Sequence, residues 1–251
     1  MVDLDAFLAE LDAWAKERDP GWETLAYGDH PDQVADLRHG GERCAILLHG
    51  GFWRPAFTRA NTRALAVDLA LRGWTTWNVE YRRSGVADTL ADVEAALEHV
   101  HSGRVALNYL YLTTVCIGHS AGGHLALWAA GTGAVDRVVS LAGVTDLARA
   151  AREGIGANAA VEFAGAEVPA AADPMRRLPL AVPALLVHGT DDDRVPVDHA
   201  RRYAQRATAA GDDCRLVEVD GDHFMPIDPR STVWPRVVSA VSSLSSPPAE
   251  T

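Results

Sequence analysis

The sequence has few cysteines, few basic residues and no long apolar run. Of its 251 residues only 3 are cysteine, and 23 Lys and Arg stand against 34 Asp and Glu, for a formal net charge of -11. Three cysteines are few and odd in number, which argues against a disulfide framework. The negative charge, with no Lys/Arg-rich stretch to offset it, would repel a phosphate backbone, so we expect no nucleic-acid partner.

Other absences narrow the class of protein further. No run of 18 apolar residues occurs, so we expect no membrane span and no membrane partner. Residues Met1–Asp5 are acidic where a secretory signal would be basic, which favours a soluble cytoplasmic protein. No cluster of His, Cys, Asp or Glu has metal-ligand spacing, and no Gly-rich phosphate loop with a lysine is present. We therefore predict no metal and no other cofactor, and the oligomeric state stays open.

Apolar patterning predicts one α/β domain over residues 1–251. With 48% hydrophobic residues the chain can bury a large core. Short apolar runs such as Cys44–Leu48 are typical of strands buried on both faces of a parallel sheet. The predicted strands are Cys44–Leu48, Thr75–Glu80, Leu110–Ile117, Arg137–Leu141, Ala184–Val187 and Arg215–Val219, and the predicted helices are Thr62–Arg72, Thr89–His101, Gly122–Ala130, Val197–Ala210 and Thr232–Leu244. This alternation favours a mostly parallel central sheet with helices on both faces.

Several segments lie outside this alternation. Residues 3–18 carry apolar side chains at helical spacing, which predicts an amphipathic helix that covers the core. Residues 24–27 and 33–37 are weakly extended. We expect the less regular, Ala-rich stretch 146–182 to form a short cap over a ligand pocket, and the Ser- and Pro-rich tail, residues 245–251, to be flexible.

The pentapeptide Gly118–Gly122 has the pattern Gly-x-Ser-x-Gly. One predicted strand runs into it and one predicted helix leaves it, so we expect Ser120 on a sharp strand-to-helix turn that presents its hydroxyl at the sheet edge. The alternative is a glycine-rich turn in which the serine only caps the helix. The position directly after a buried strand favours a nucleophile.

A serine hydroxyl needs a base to take its proton, and the base needs a third group to hold its tautomer. Candidates follow later strands. The segment His188–Pro196 follows one predicted strand and contains three adjacent acids, and His223 follows the last predicted strand. The three acids are Asp191, Asp192 and Asp193. Because ligand sites gather at the carboxyl ends of parallel strands, we expect these residues near Ser120; chain order does not choose among the aspartates, and a surface role for His223 is the alternative.

Two adjacent glycines, Gly50 and Gly51, follow the predicted strand Cys44–Leu48 at the same sheet edge. Glycines let backbone N–H groups turn toward a developing oxyanion. Trp53 lies beside these glycines and Phe224 lies beside the candidate histidine, and an aromatic side chain at each place would form a flat apolar wall. We predict that both line the substrate pocket.

Taken together, these motifs resemble the α/β-hydrolase superfamily over about residues 24–244. The stretch that begins at His188 is similar to the His-Gly-x-x-Asp-x-x-Val-Pro acid loop of that superfamily. The resemblance implies an α/β-hydrolase fold with Ser120 as nucleophile, Asp192 as acid and His223 as base. Asp191 and Asp193 would then be solvated or helix-capping residues.

The glycine loop is similar to the His-Gly-Gly-x loops of esterases. That similarity implies an oxyanion hole formed by the N–H groups of Gly51, Phe52 and Ala121. With an aromatic residue and tryptophan after the glycines, the loop most resembles the kynurenine formamidase (arylformamidase) and small carboxylesterase group, as does Tyr27–Leu37. This resemblance implies hydrolysis of a small ester or an aryl formamide such as N-formyl-L-kynurenine through an acyl-enzyme.

Two other functions fit the same motifs. A peptidase of the prolyl-oligopeptidase type shares the order of nucleophile, acid and base, but would carry a propeller-sized N-terminal domain. A non-catalytic binding module on this fold would normally lack part of the triad. We therefore expect a small-molecule partner with an ester or amide carbonyl.

Overall fold

A single sheet of eight strands forms the centre of the computed structural model, which describes residues 4–106 and 113–244. The strands are β1 (Glu23–Ala26), β2 (Val34–Arg38), β3 (Arg43–Leu48), β4 (Trp74–Val79), β5 (Thr113–His119), β6 (Arg137–Leu141), β7 (Ala184–Gly189) and β8 (Cys214–Val219). Their order across the sheet is β1-β2-β4-β3-β5-β6-β7-β8. Strand β2 is antiparallel to both of its neighbours, and the six strands β3 to β8 are all parallel to one another.

Eight α-helices surround the sheet in the described ranges. They are α1 (Leu4–Arg18), α2 (Arg63–Leu71), α3 (Val86–Ala106), α4 (Ala121–Ala130), α5 (Leu147–Glu153), α6 (Ile155–Ala164), α7 (Asp198–Ala209) and α8 (Trp234–Leu244). Short 3-10 turns lie at Arg59–Thr62, Ala170–Ala172, Pro174–Arg176 and Met225–Ile227. None of the described helices is long and apolar enough to cross a membrane.

Two apolar layers enclose the sheet, because successive strand residues point to opposite faces. In β3, Ile46 packs into the layer that contains α3, α4 and α7, whereas Leu47 packs into the layer that contains α1, α2 and α8. Both residues are almost completely buried. The mostly parallel sheet with helices on both faces confirms the predicted architecture.

Helix α3 differs from the predicted element. The sequence predicts that Gly103 ends this helix, but the helix continues to Ala106. A glycine inside a helix costs only about 1 kcal/mol. The buried face of α3, which includes Val93, Leu97 and Val100, packs on the sheet and outweighs that cost. The first residues of the predicted strand Leu110–Ile117 and the predicted tail, residues 245–251, lie outside the described residues.

The stretch predicted as an irregular cap contains two short helices, α5 and α6, followed by two 3-10 turns. Helix α5 begins where the Asp146 carboxylate accepts a hydrogen bond from the Arg149 N–H at 2.8 Å. Inside α6, three consecutive residues, Gly156, Ala157 and Asn158, have left-handed backbone angles with φ between 55° and 65°. The segment therefore changes direction sharply just before it packs against the sheet loops.

Candidate active site

Ser120 lies on the turn between β5 and α4 with φ 55° and ψ -117°, a backbone conformation that a non-glycine residue rarely adopts. The flanking glycines allow close contacts between backbone segments around this turn. A Cβ atom on Gly118 would lie 1.9 Å from the Gly122 carbonyl oxygen, and one on Gly122 would lie 2.0 Å from the Leu48 carbonyl oxygen. The Gly-x-Ser-x-Gly spacing thus follows from two steric contacts, one between Gly118 and Gly122 and one between Gly122 and strand β3.

The loops after β7 and β8 bring an aspartate and a histidine together. Asp192 Oδ2 lies 2.7 Å from Nδ1 of His223, and Asp192 Oδ1 accepts hydrogen bonds from the N–H groups of Arg194 and Val195 at 2.9 and 2.8 Å. His188 Nε2 lies 3.0 Å from the same Oδ2. The neighbouring carboxylates of the Asp triplet point elsewhere and are exposed.

The hydrogen bonds around Asp192 keep it ionised. Burial would raise its pKa, but the bonds from His188 and His223 hold the pKa of this carboxyl well below its usual range. Because the charged Asp192 carboxylate accepts a hydrogen bond from Nδ1–H of His223, it holds the tautomer in which Nε2 carries no proton.

Ser120 and His223 line the same cavity. No hydrogen bond joins the Ser120 hydroxyl to the His223 ring within the described part of the chain. Such bonds often tighten only when substrate binds. His119 lies beneath both residues, and its Nε2 is 2.9 Å from the His223 carbonyl oxygen. Burial, together with the nearby His223, lowers the pKa of His119 to about 3, so His119 is a neutral packing residue at pH 7.

The loop after β3 also lies against Ser120. Gly51, Phe52 and Trp53 all have positive φ angles, 121°, 56° and 53°. A Cβ atom on Gly50 would lie 3.0 Å from Cβ of Ser120. Among the described residues, none accepts a hydrogen bond from the N–H groups of Gly51, Phe52 or Ala121. Gly51 and Phe52 line the same cavity as Ser120, and Ala121 follows Ser120 directly, so these three N–H groups, which have no acceptor in the described part of the chain, are available to a ligand there.

Buried polar residues hold this loop from behind. The Tyr81 hydroxyl donates to the His49 carbonyl oxygen at 2.6 Å, and its ring stacks on the His49 ring at 4.3 Å. Glu80 Oε1 lies 2.9 Å from His49 Nε2, and Glu80 Oε2 accepts from the Arg59 N–H at 3.0 Å. Burial would raise the pKa of Glu80, but its bonds to His49 and Arg59 lower it, so the carboxylate stays charged. Sequence reasoning missed Glu80, although an acid at the end of a buried strand was a signal for it.

The cavity beside Ser120 has a volume of about 30 Å³ and mostly apolar walls. It is lined by Leu4, Leu8, Gly50, Gly51, Phe52, Phe57, Asn61, His119, Ser120, His223, Phe224 and Ile227. Two of these residues come from helix α1, whereas none comes from the segment 146–182 that the sequence suggested as the cap. That segment borders a separate cavity of about 230 Å³ on the other side of Phe52.

The two aromatic residues predicted to line the pocket have different places. Phe224 lines the cavity, and its ring stands edge-on to the His223 ring at 5.1 Å. Trp53 does not line it. Its side chain is 5% exposed and stacks on Phe163 of α6 at 4.6 Å, so it joins the loop to the cap segment instead. Within the described ranges, no group of three His, Cys, Asp or Glu side chains could hold a metal ion.

Comparison with known proteins gives one family match. The BD-FAE family model matches residues 36–206, about two thirds of the chain. This range contains Ser120 and Asp192 but ends before His223. No curated protein sequence matches the chain significantly.

Solved structures of several esterases have the same fold. An esterase from Thermogutta terrifontis, Est2, superposes with a TM-score of 0.74 at 22% identity, covering 92% of this chain and 96% of its own. A truncated carbohydrate esterase from gut microbiota superposes with a TM-score of 0.77 at 17% identity, covering 92% and 98%. An acetyl ester-xyloside bifunctional hydrolase from Caldicellulosiruptor lactoaceticus has a TM-score of 0.71 at 18% identity, covering 89% and 95%. Est2 also has a propionate-bound structure and one phosphorylated by paraoxon. These similarities confirm the predicted α/β-hydrolase fold.

Proposed function

This chain belongs to the BD-FAE family, and from that premise and the geometry of its site we propose that it is a serine hydrolase that cleaves small esters. Ser120 is the nucleophile, His223 the general base and Asp192 the acid that orients the base. The observation that carries the proposal is the 2.7 Å contact between His223 and Asp192, beside a serine with φ 55° in the same cavity.

Acylation begins when Ser120 Oγ attacks the ester carbonyl carbon and its proton passes to His223 Nε2. The carbonyl π electrons move to oxygen and give a tetrahedral oxyanion. When the oxyanion collapses, the bond to the leaving alcohol breaks, and the alcohol departs with the proton from His223. The acyl group stays on Ser120 as an ester.

Deacylation repeats these steps with water. His223 takes a proton from water, the hydroxide adds to the acyl carbonyl, and the Ser120 Oγ bond breaks as His223 returns the proton to the serine. The products are an acid and a free enzyme. In both halves the N–H groups of Gly51, Phe52 and Ala121 donate hydrogen bonds to the oxyanion. Loss of a single donor of this kind typically lowers turnover by about 10²–10³.

The size of the cavity supports a short acyl group. A volume of about 30 Å³ has room for roughly two water molecules. A formyl or acetyl group fits that space, and a formyl group attached to an aryl amine is the substrate of an arylformamidase. Hydrolysis of an aryl formamide such as N-formyl-L-kynurenine is therefore the second candidate function.

Reaction with an organophosphate tests the nucleophile. Paraoxon should inactivate the wild-type protein and add one phosphoryl group to Ser120, as seen by intact-protein and peptide mass spectrometry. Ser120→Ala should neither react nor hydrolyse p-nitrophenyl acetate above about 0.1% of the wild-type rate. Its fold should be unchanged by circular dichroism. A wild-type protein that does not react would favour a non-catalytic binding module.

A substrate panel separates the remaining functions. We expect the highest kcat/KM on p-nitrophenyl acetate or another short ester. Higher values on N-formyl-L-kynurenine would move the protein to the arylformamidases, and higher values on aminoacyl arylamides would move it to the peptidases. The three classes share Ser120, so only the relative kcat/KM values decide among them.

A further inference from the structure

Helix α1 contributes two leucines to the wall of the cavity beside Ser120. Leu4 and Leu8 are four residues apart, so they lie on the same face of the helix. Most of the other lining residues come from loops at the carboxyl ends of the sheet strands. The same helix packs along α2 through Leu11, which is buried in the apolar layer shared with α2 and α8 and does not line the cavity.

Contacts with two other elements hold α1 in this place. The Phe7 ring lies 5.3 Å from the Phe224 ring, next to His223. Arg230 Nη1 lies 3.7 Å from Glu10, and Arg63 of α2 forms an ion pair with Asp12. Helix α1 is therefore anchored on one side by the histidine loop and the segment after it, and on the other by α2.

The chemistry of an acyl-enzyme indicates which part of the substrate faces this wall. The leaving alcohol must diffuse away before water can attack, so it needs an open path. The acyl group stays bound to Ser120 through both halves of the reaction. A small apolar cavity with a helix as one of its walls suits the group that stays.

We infer that helix α1 is the acyl-length filter of the enzyme, with Leu4 and Leu8 as its specificity-determining residues. This inference rests on the proposed function. Each methylene beyond the room available would have to displace these leucines or the helix, which costs binding in the transition state. Efficiency therefore falls with acyl length in the wild-type protein, and removal of either leucine side chain makes room for longer chains.

The test is the kcat/KM of p-nitrophenyl acetate, butyrate and hexanoate for the wild type, Leu4→Ala, Leu8→Ala and Leu11→Ala. The ratio of hexanoate to acetate should rise about ten-fold in Leu8→Ala, within the range found for one methylene in a hydrophobic pocket. It should also rise in Leu4→Ala. Leu11→Ala removes the same atoms from the same helix away from the cavity, so it should leave the ratio within about two-fold of the wild type.

The outcomes separate this inference from the proposed function. If the wild type reacts with paraoxon and hydrolyses acetate, but both cavity variants keep the wild-type ratio, only the inference is overturned. An equal rise in Leu11→Ala also overturns it, because the effect would then come from loosening of the helix. If the wild type reacts with neither paraoxon nor any ester, both the inference and the proposed function are overturned.

Discussion

Three adjacent aspartates follow strand β7, and only one of them lies against the candidate base. Asp192 is buried and contacts His223, whereas Asp191 and Asp193 are exposed. The sequence resemblance implied Asp192, and the geometry supports the same residue. The neighbours are natural controls because they differ from Asp192 by a single position in the chain.

We predict that Asp192→Asn lowers kcat by about 10³–10⁴ because the amide no longer holds the His223 tautomer. Asp191→Asn and Asp193→Asn should retain kcat within about two-fold. The measurement is p-nitrophenyl acetate hydrolysis, with thermal unfolding as a check on the fold. A large loss at either exposed aspartate, with a normal Asp192→Asn, would contradict the proposed triad.

The loop that carries two of the proposed oxyanion donors, Gly51 and Phe52, contacts a carboxylate behind it. Glu80 contacts His49 at the start of the loop and the Arg59 backbone, and its side chain is only 3% exposed. Positive φ angles at Gly51 and Phe52 require support from the surrounding structure. Glu80 is thus a positioning residue that acts through the loop.

We predict that Glu80→Gln lowers kcat about ten-fold on p-nitrophenyl acetate with little change in KM, because the N–H donors shift relative to the oxyanion. Glu218→Gln is the matched control, since Glu218 pairs with Arg201 on the surface near the end of another strand. A fall in thermal stability with unchanged kcat would show a purely structural role for Glu80.

The cap segment touches the same loop through Gly156. A Cβ atom on this residue would lie 2.2 Å from Cδ1 of Phe52, and its φ is 65°. Gly133 also has a positive φ, 77°, but a Cβ there would have no atom within 4 Å. Substitution by alanine would therefore strain the backbone at both glycines, but only at Gly156 would the new methyl group contact Phe52.

We predict that Gly133→Ala destabilises the protein by about 1 kcal/mol, the cost of a left-handed alanine, and that Gly156→Ala destabilises it by more, because its methyl group also collides with Phe52. Only Gly156→Ala should also lower kcat, by several-fold, because its methyl group displaces Phe52. Urea unfolding measures the first effect and ester hydrolysis the second. Equal kcat values in the two variants would show that the Phe52 ring can move without disturbing the oxyanion donors.

On the scale of the whole molecule, buried neutral histidines make stability depend on pH. Burial lowers the pKa of His119 to about 3 and that of His124 to about 4. In the unfolded chain a histidine titrates near 6.5. As the pH falls below about 6.5, the unfolded state gains protons that the folded state does not bind, so the free energy of unfolding decreases.

We predict that each of the two histidines lowers the free energy of unfolding by up to about 1.4 kcal/mol per pH unit between about pH 6 and pH 4.5. Urea unfolding at several pH values measures the slope. In His124→Gln, whose amide can still donate to the Ala172 carbonyl oxygen as His124 Nε2 does, the slope should decrease by about that amount. A slope as steep as in the wild type would show that His124 is protonated without unfolding.

Local patterns were sufficient to predict much of the fold, and they also indicated the residues of the candidate site. Buried parallel strands require continuous apolar runs, and β3, β6 and β7 lie within one or two residues of their predicted bounds. Ser120 and His223 follow strand ends, and parallel strands bring such positions to one edge of the sheet. Where the competing energies are close, as at Gly103 in α3, local sequence did not predict the helix end.

Only the tertiary structure decided which residues form the walls of the site. Trp53 follows Gly50 and Gly51 in the chain, but its large apolar ring gains more by burial against Phe163 than by facing the cavity. Leu4 and Leu8 lie more than 100 residues before Ser120, and no local pattern relates them to it. The sequence determined that α1 has an apolar face. Only the packing of that face against distant elements determined that it lines the cavity, because such contacts depend on how those elements meet in space.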